Sequence, residues 1–133
     1  MKIQQYLLVL LEVLFPYMLN ADITEDIHFS HIGLEEGLSH STIFAINQDK
    51  GGNLWFATYD GGNKYEGYNF TVYRHQYTHP NSIASDISRC ITMDDSDRIW
   101  IGTREGLSLY NHYKDEFSNY YYKRNGLNVA VTS

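Results

Sequence analysis

The sequence predicts an all-β protein assembled from repeats, and three observations predict it. The segment Asp49-Lys50-Gly51-Gly52-Asn53-Leu54-Trp55-Phe56-Ala57-Thr58 returns as Asp94-Asp95-Ser96-Asp97-Arg98-Ile99-Trp100-Ile101-Gly102-Thr103. The offset is 45 residues throughout, and it also carries Gly61 onto Gly106. Self-similarity at a period of about 40–50 residues marks blade-type repeats. Second, 15% of the 133 residues are aromatic, 12 of them Tyr, with glycine scattered between, a composition that favours strands. Third, the tryptophan segments are apolar on both faces. Leu54 and Phe56 point one way and Trp55 and Ala57 the other, and Ile99-Trp100-Ile101-Gly102 repeats this.

A half-wet antiparallel sheet would alternate apolar with polar residues. Sheets covered on both faces by similar sheets arise when blades stack radially, so the pattern fits a β-propeller of four-stranded blades. The expectation is two four-stranded antiparallel blades, an incomplete ring, preceded by a signal-like helix.

Taken in order, Met1 to Gln5 gives a short positive start and Tyr6 to Leu19 an apolar run interrupted by Glu12 and Pro16. Leu19-Asn20-Ala21 ends on a small residue, so 1–21 reads as a secretory signal. Residues 22–36 read as a linker and an orphan strand. His28 to Ile32 resembles Phe70-Thr71-Val72-Tyr73 and Phe117-Ser118-Asn119-Tyr120, which points to the closing strand of a blade whose other strands lie elsewhere.

Blade 1 spans 37–81, with strands at Thr42 to Gln48, Asn53 to Thr58, Asn63 to Tyr65 and Asn69 to Arg74. Its turns, Asp49-Lys50-Gly51-Gly52, Asp60-Gly61-Gly62 and Glu66-Gly67, use residues that tolerate positive φ. Blade 2 spans 82–125, with strands near Ile87 to Met93, Arg98 to Thr103, Leu107 to Tyr110 and Glu116 to Tyr121. Residues 126–133 read as the truncated start of a third blade. Four blades would need roughly 180 residues, so the expectation is an N-terminal piece of a larger protein. The repeat core comprises Leu54, Trp55, Phe56, Thr58 and Gly61, with Ile99, Trp100, Ile101, Thr103 and Gly106. Apolar surface around Trp55, Phe56, Trp100 and Ile101 is expected to lack a neighbour on the outer sides, which favours self-association.

These residues resemble the two-component regulator propeller repeats of hybrid two-component sensors. The likeness rests on Gly37-Leu38-Ser39-His40-Ser41-Thr42-Ile43, Gly52-Asn53-Leu54-Trp55-Phe56-Ala57-Thr58 and Gly61-Gly62 in blade 1. In blade 2 it rests on Ser85-Asp86-Ile87, Arg98-Ile99-Trp100-Ile101-Gly102-Thr103 and Gly106-Leu107. Asn63 and Lys64 depart from the family's usual residues. The resemblance implies a periplasmic propeller, anchored through the parent's transmembrane helix and coupled to a kinase. It implies an oligosaccharide ligand in the complete sensor and the remaining blades as partners. The chain itself has no kinase motifs, so no catalysis and no cofactor are expected. An exported propeller enzyme (a lyase or hydrolase) and a truncated reading frame without independent function remain as alternatives.

Candidate chemistry is sparse. The net charge of −6 leaves no electrostatic footprint for nucleic acid. His75 and His79 have a ligand spacing that suits a helix, but Pro80 argues for a loop. His31 and His40 lie in or beside the repeat signature, and His28 and His112 stand apart from any ligand pattern in the sequence, so no metal site is expected. Asp94, Asp95 and Asp97 lack the central Gly and terminal Glu of a calcium loop. The single cysteine, Cys90, aligns with Ala45 and reads as a small buried strand residue. Tyr59, Tyr68 and Tyr77 are loop aromatics able to stack on sugar rings, while the ligand-binding residues themselves stay unassigned.

Overall fold

The structure is a computed structural model that describes residues 27–124 and 127–129, with side chains described through residue 121. The chain divides into two compact units, 1–30 and 31–133. The expected signal-like helix lies outside the described residues. In the second unit, two four-stranded antiparallel sheets follow one another in simple meander order. Sheet one holds β1 (Ile43–Gln48), β2 (Leu54–Thr58), β3 (Gly61–Tyr65) and β4 (Phe70–Tyr73). Sheet two holds β5 (Ser88–Met93), β6 (Ile99–Thr103), β7 (Leu107–Asn111) and β8 (Glu116–Tyr120). A short hairpin, β9 (Tyr122–Arg124) with β10 (Leu127–Val129), follows.

The two sheets repeat in detail. Both first strand pairs carry an irregularity at the same place, between Ile43 and Ala45 and between Ser88 and Cys90. Ser39 N–H donates to Asn63 Oδ1 at 2.9 Å, and Ala84 N–H donates to Ser108 Oγ at 3.0 Å. Thr58 Oγ1 donates to Gly61 O at 2.9 Å, as Thr103 Oγ1 does to Gly106 O at 2.8 Å. The repeat is therefore fixed by polar contacts at the turns as well as by apolar strand positions.

The core lies between the sheets. Trp55 is 1% exposed, and Ile101 and Ile83 are fully buried. They pack with Ala57, Ile91, Ile99, Tyr110 and Phe117. Burying one such isoleucine stabilises by about 1.5–3 kcal/mol. Trp55 stacks on Tyr73 of its own sheet at 5.8 Å and meets the edge of Tyr110 of the next sheet at 4.8 Å. Gly62 makes this approach possible: a Cβ there would sit 3.2 Å from Ile101 Cδ1 and 3.4 Å from Ile83 Cδ1.

Four expectations need correction. Residues 28–32 are irregular, and Phe29 is 93% exposed. A strand exists through pairing, and residues 28–32 belong to none of the three sheets. The outer apolar surface is also smaller than expected, because Trp55 and Ile101 cover each other and Phe56 is only 7% exposed. Trp100 alone of that group is half-buried. Cys90 is half-buried rather than buried, since it sits on the side of sheet two turned away from the core. Finally, the third strand of blade 1 starts at Gly61, and Asn63 and Lys64 are buried within it. Asn63 is satisfied by Ser39, and Lys64 Nζ pairs with Glu66 Oε1 at 2.5 Å, which is what a buried amide and a buried cation require.

Candidate functional site

The turns that join β1 to β2 and β5 to β6 lie at one end of the sheets, and each is built around an aspartate. Asp49 Oδ1 accepts from Asn53 N–H at 2.9 Å, and Asp49 Oδ2 accepts from Trp55 Nε1–H at 2.9 Å. Asp94 repeats both contacts, with Arg98 N–H and Trp100 Nε1–H each at 3.0 Å. The fourth turn residue takes positive φ in both copies, 87° at Gly52 and 61° at Asp97. Asp tolerates this region better than most side chains. Asp97 Oδ1 in turn accepts from Lys50 N–H at 3.2 Å, so the two turns are tied together.

These hydrogen bonds set the charge state. Burial pushes the Asp49 carboxyl up, but the indole, amide and backbone donors outweigh it and hold it below its ordinary value. The Trp100 donor, followed by Arg98 and Ser96, lowers Asp94 to about 2. Both groups are acceptor-only carboxylates at neutral pH.

A third turn, between β7 and β8, stands at the same end. It runs from Asn111 to Asp115 and is two residues longer than its counterpart in sheet one, where Tyr65 pairs with Phe70 as Tyr110 pairs with Phe117. Asn111 Oδ1 accepts from Tyr113 N–H at 3.0 Å and Lys114 N–H at 3.2 Å. Tyr113 is 98% exposed, and its ring lies 6.2 Å from that of His112. Between the three turns opens a cavity of about 490 Å3, with Asn53, Asp97, Arg98, Asn111, His112 and Tyr113 on its walls. Its size falls within the range of small-molecule sites, and it combines aromatic rings with a few polar groups. The aspartates that anchor the turns are committed to local donors.

Asp115 closes the longer turn and joins the sheets. Its Oδ1 accepts from Tyr73 OH and from Tyr110 OH, both at 2.7 Å. Burial raises the Asp115 carboxyl, while the two tyrosine donors bring it below its usual value. Burial, with further contributions from the Asp115 contact, pushes Tyr110 up to about 12. Burial raises Tyr73 further.

The repeat-core residues occupy matching places. Thr58, Thr103, Gly61 and Gly106 are buried at the turns, and Phe56 and Ile99 are buried in the strands. Leu54 and Trp100 are half-buried. The loop aromatics are dispersed. Tyr59 (ring 5.5 Å from His40) and Tyr77 (4.9 Å from His75) stand at the opposite end from the groove. Tyr68 shares the groove's end but is not on its walls. His75 Nδ1 bonds Ile83 O at 2.8 Å and His79 Nδ1 bonds Thr78 Oγ1 at 3.0 Å, so these two serve the loop between the sheets. Among the described residues, no three His, Cys, Asp or Glu side chains converge as for a metal.

The groove residues Asn111, His112 and Tyr113 were missed in the sequence, although a signal for them was present. Phe70 and Phe117 are two residues out of step with the 45-residue offset. An insertion in one turn of a repeat is where function concentrates.

Comparison with known proteins agrees with this geometry. Residues 37–60 and 82–105 each match the family profile described as two component regulator propeller. A stretch of 49 residues is 45% identical to histidine kinase P4 of Formosa agariphila, and covers 37% of this chain and 4% of that protein. Among solved structures, the extracellular domain assigned to the hybrid two component system BT3049 of B. thetaiotaomicron superposes with a TM-score of 0.65 at 35% identity. That alignment covers 75% of this chain and 14% of the other. The extracellular domain assigned to the one component system BT4673 of the same organism shares the fold, with a TM-score of 0.61 at 19% identity over 77% of this chain and 15% of the other. The chain thus spans a small fraction of the proteins it matches. Among the described residues no helix is long and apolar enough to cross a membrane. The two stacked sheets coincide with the two matched segments, and the chain carries a pair of two component regulator propeller repeats.

Proposed function

We propose that this chain is a ligand-sensing portion of the exported, periplasmic propeller of a hybrid two-component sensor, and that its ligand is an oligosaccharide. The observation that carries this reading is the groove between the three turns. It offers an exposed tyrosine ring, an imidazole, amides and a guanidinium around a space of about 490 Å3. Sugars present apolar faces to aromatic rings and hydroxyls to amides and charged groups. The likeness to extracellular domains of two-component systems supports a regulatory rather than catalytic role.

The groove is walled by only two sheets, so it supplies part of a site completed by further blades of a longer sensor that is anchored in the inner membrane. The test is calorimetric titration of an oligosaccharide panel into the extracellular region of the parent sensor. A saccharide that binds the parent and loses at least tenfold affinity with Tyr113→Ala supports the reading. Binding unchanged by Tyr113→Ala and by Asn111→Ala removes the groove from the site. Equally tight binding by the 133-residue chain alone contradicts the need for further blades.

A further inference from the structure

The three turns around the groove are held in two different ways. Asp49 and Asp94 each accept a backbone N–H from their own turn, so those two turns close on themselves. In the third, Asn111 pairs with Glu116, which leaves His112 to Asp115 as the turn. Its local cap is Asn111, whose side chain accepts from Tyr113 and Lys114 and whose carbonyl accepts from Asp115 N–H at 2.9 Å. The Asp115 carboxylate reaches out of the turn instead, to Tyr110 of its own sheet and Tyr73 of the other. Asp115 has a φ of 55°, in the region that Asp enters more readily than most residues.

The two ends of this turn therefore have different surroundings. His112 and Tyr113 stand on the groove wall, and Tyr73 does not. The Tyr73 ring is fixed by Trp55, stacked at 5.8 Å, and by Phe117, edge-on at 5.2 Å. Its hydroxyl cannot follow Asp115 without giving up these ring contacts. The segment between β4 and β5 adds to the hold. Asn81 O accepts from Phe117 N–H at 2.7 Å, and Asn81 Nδ2 donates to Glu116 Oε2 at 3.1 Å. In sheet one the matching, shorter turn is closed from within, by Tyr65 OH donating to Gly67 O at 2.7 Å.

We propose that Tyr73 is a positioning residue for the groove: acting through Asp115, sheet one sets where His112 and Tyr113 stand, and the closed junction between the sheets orders this wall. Linkage makes the effect reciprocal. Whatever seats on Tyr113 and His112 tightens the junction as much as the junction favours its binding. That second half rests on the groove as a ligand site. The ordering does not, and it is measured without ligand.

Hydrogen exchange of the full chain, followed by mass spectrometry, compares the turn 111–116 with the turn 49–53. Tyr73→Phe keeps the ring and removes the hydroxyl. The amides of Tyr113, Lys114 and Asp115 should then exchange about tenfold faster, the factor expected for one lost hydrogen bond to a carboxylate. The amides of Gly52 and Asn53, hydrogen-bonded within their own turn, should keep their rates. Circular dichroism checks that the variant folds. Should it fail, Asn81→Ala, which cuts the tie to Glu116, replaces it with the same expectation. Unchanged rates in the longer turn would overturn the proposal. Equal acceleration in both turns would overturn it too, since that marks a general loosening of the fold. So would acceleration by Tyr110→Phe with none by Tyr73→Phe, which leaves the ordering to sheet two alone. A saccharide panel that finds no binding to the parent sensor is a separate failure: it removes the groove's ligand and leaves the exchange result standing.

Discussion

The indole N–H of Trp55 donates to the Asp49 carboxylate, six residues earlier, at 2.9 Å, and Trp100 holds Asp94 in the same way at 3.0 Å. One carboxylate thus closes a hairpin turn and fixes the rotamer of the largest side chain in the strand that follows. Removing it should uncouple the two. For Asp49→Ala the Trp55 and Asn53 donors lose their partner, and a loss of about 1–3 kcal/mol is expected. Urea unfolding followed by tryptophan fluorescence measures it. A loss under about 0.5 kcal/mol, the size of a neutral surface change, would show that the aspartate is dispensable.

Acid should weaken the fold through the same groups. Asp49, Asp94 and Asp115 all have folded-state values below the ordinary 3.8, Asp94 at about 2. A group with a depressed folded value stabilises above its unfolded value, and that contribution is lost as pH falls through the folded one. Stability should therefore decline as pH drops from about 4 toward 2. At the other extreme Tyr110 is raised to about 12. Its contribution is complete below the ordinary tyrosine value of 10.0 and is lost as pH rises toward about 12. Denaturant midpoints from pH 2 to pH 7 check the first limb. A flat profile contradicts it.

Tyr73, Tyr110 and Asp115 lock one sheet to the next. Tyr73→Phe keeps the ring against Trp55 but removes a hydroxyl donor to a partly buried carboxylate, and should cost about 1–2 kcal/mol. Combining it with Asp115→Asn in a double-mutant cycle should give a coupling of about 0.5–3 kcal/mol. Strict additivity would mean that the contact carries no energy.

The fold's outline was legible because the turns punctuate it. All eight strands of the two sheets begin and end within about two residues of the bounds expected from the sequence. What could not be read was anything that depends on which sheet face meets which. Trp55 and Trp100 are identical by pattern, yet Trp55 is buried against the next sheet and Trp100 is only half-buried. Asp115 is remote from Tyr73 in sequence, and only the stacking brings them together. Lys64 showed in the sequence only as a departure from the family's usual residue; Glu66 and the Trp55 ring, 6.0 Å from its Nζ, allow its burial. In the groove, the turn aspartates were visible as a motif. The inserted residues around Tyr113 were overlooked because they interrupt the repeat rather than form part of it.

Two glycines separate backbone strain from crowding. Gly61 (φ 102°) and Gly67 (φ 95°) both adopt a conformation that side chains rarely take. A Cβ at Gly61 would also run into the carbonyl oxygen of Tyr73, while Gly67 faces open space. Gly67→Ala should cost about 1 kcal/mol and Gly61→Ala distinctly more. Equal losses in thermal unfolding would argue against the close packing of β4 on the turn between β2 and β3.

The central claim is that the two tryptophan strands are equivalent members of successive stacked sheets, with Trp55 inside the stack and Trp100 on its outer face. Acrylamide quenching of Trp55→Phe and Trp100→Phe, at concentrations where the chain is monomeric, tests it most directly. With Trp100 as the remaining indole, emission should be red-shifted and readily quenched. With Trp55 remaining, it should be blue-shifted and resist quenching. Equal accessibility of the two indoles, or the reverse order, would contradict the stacking.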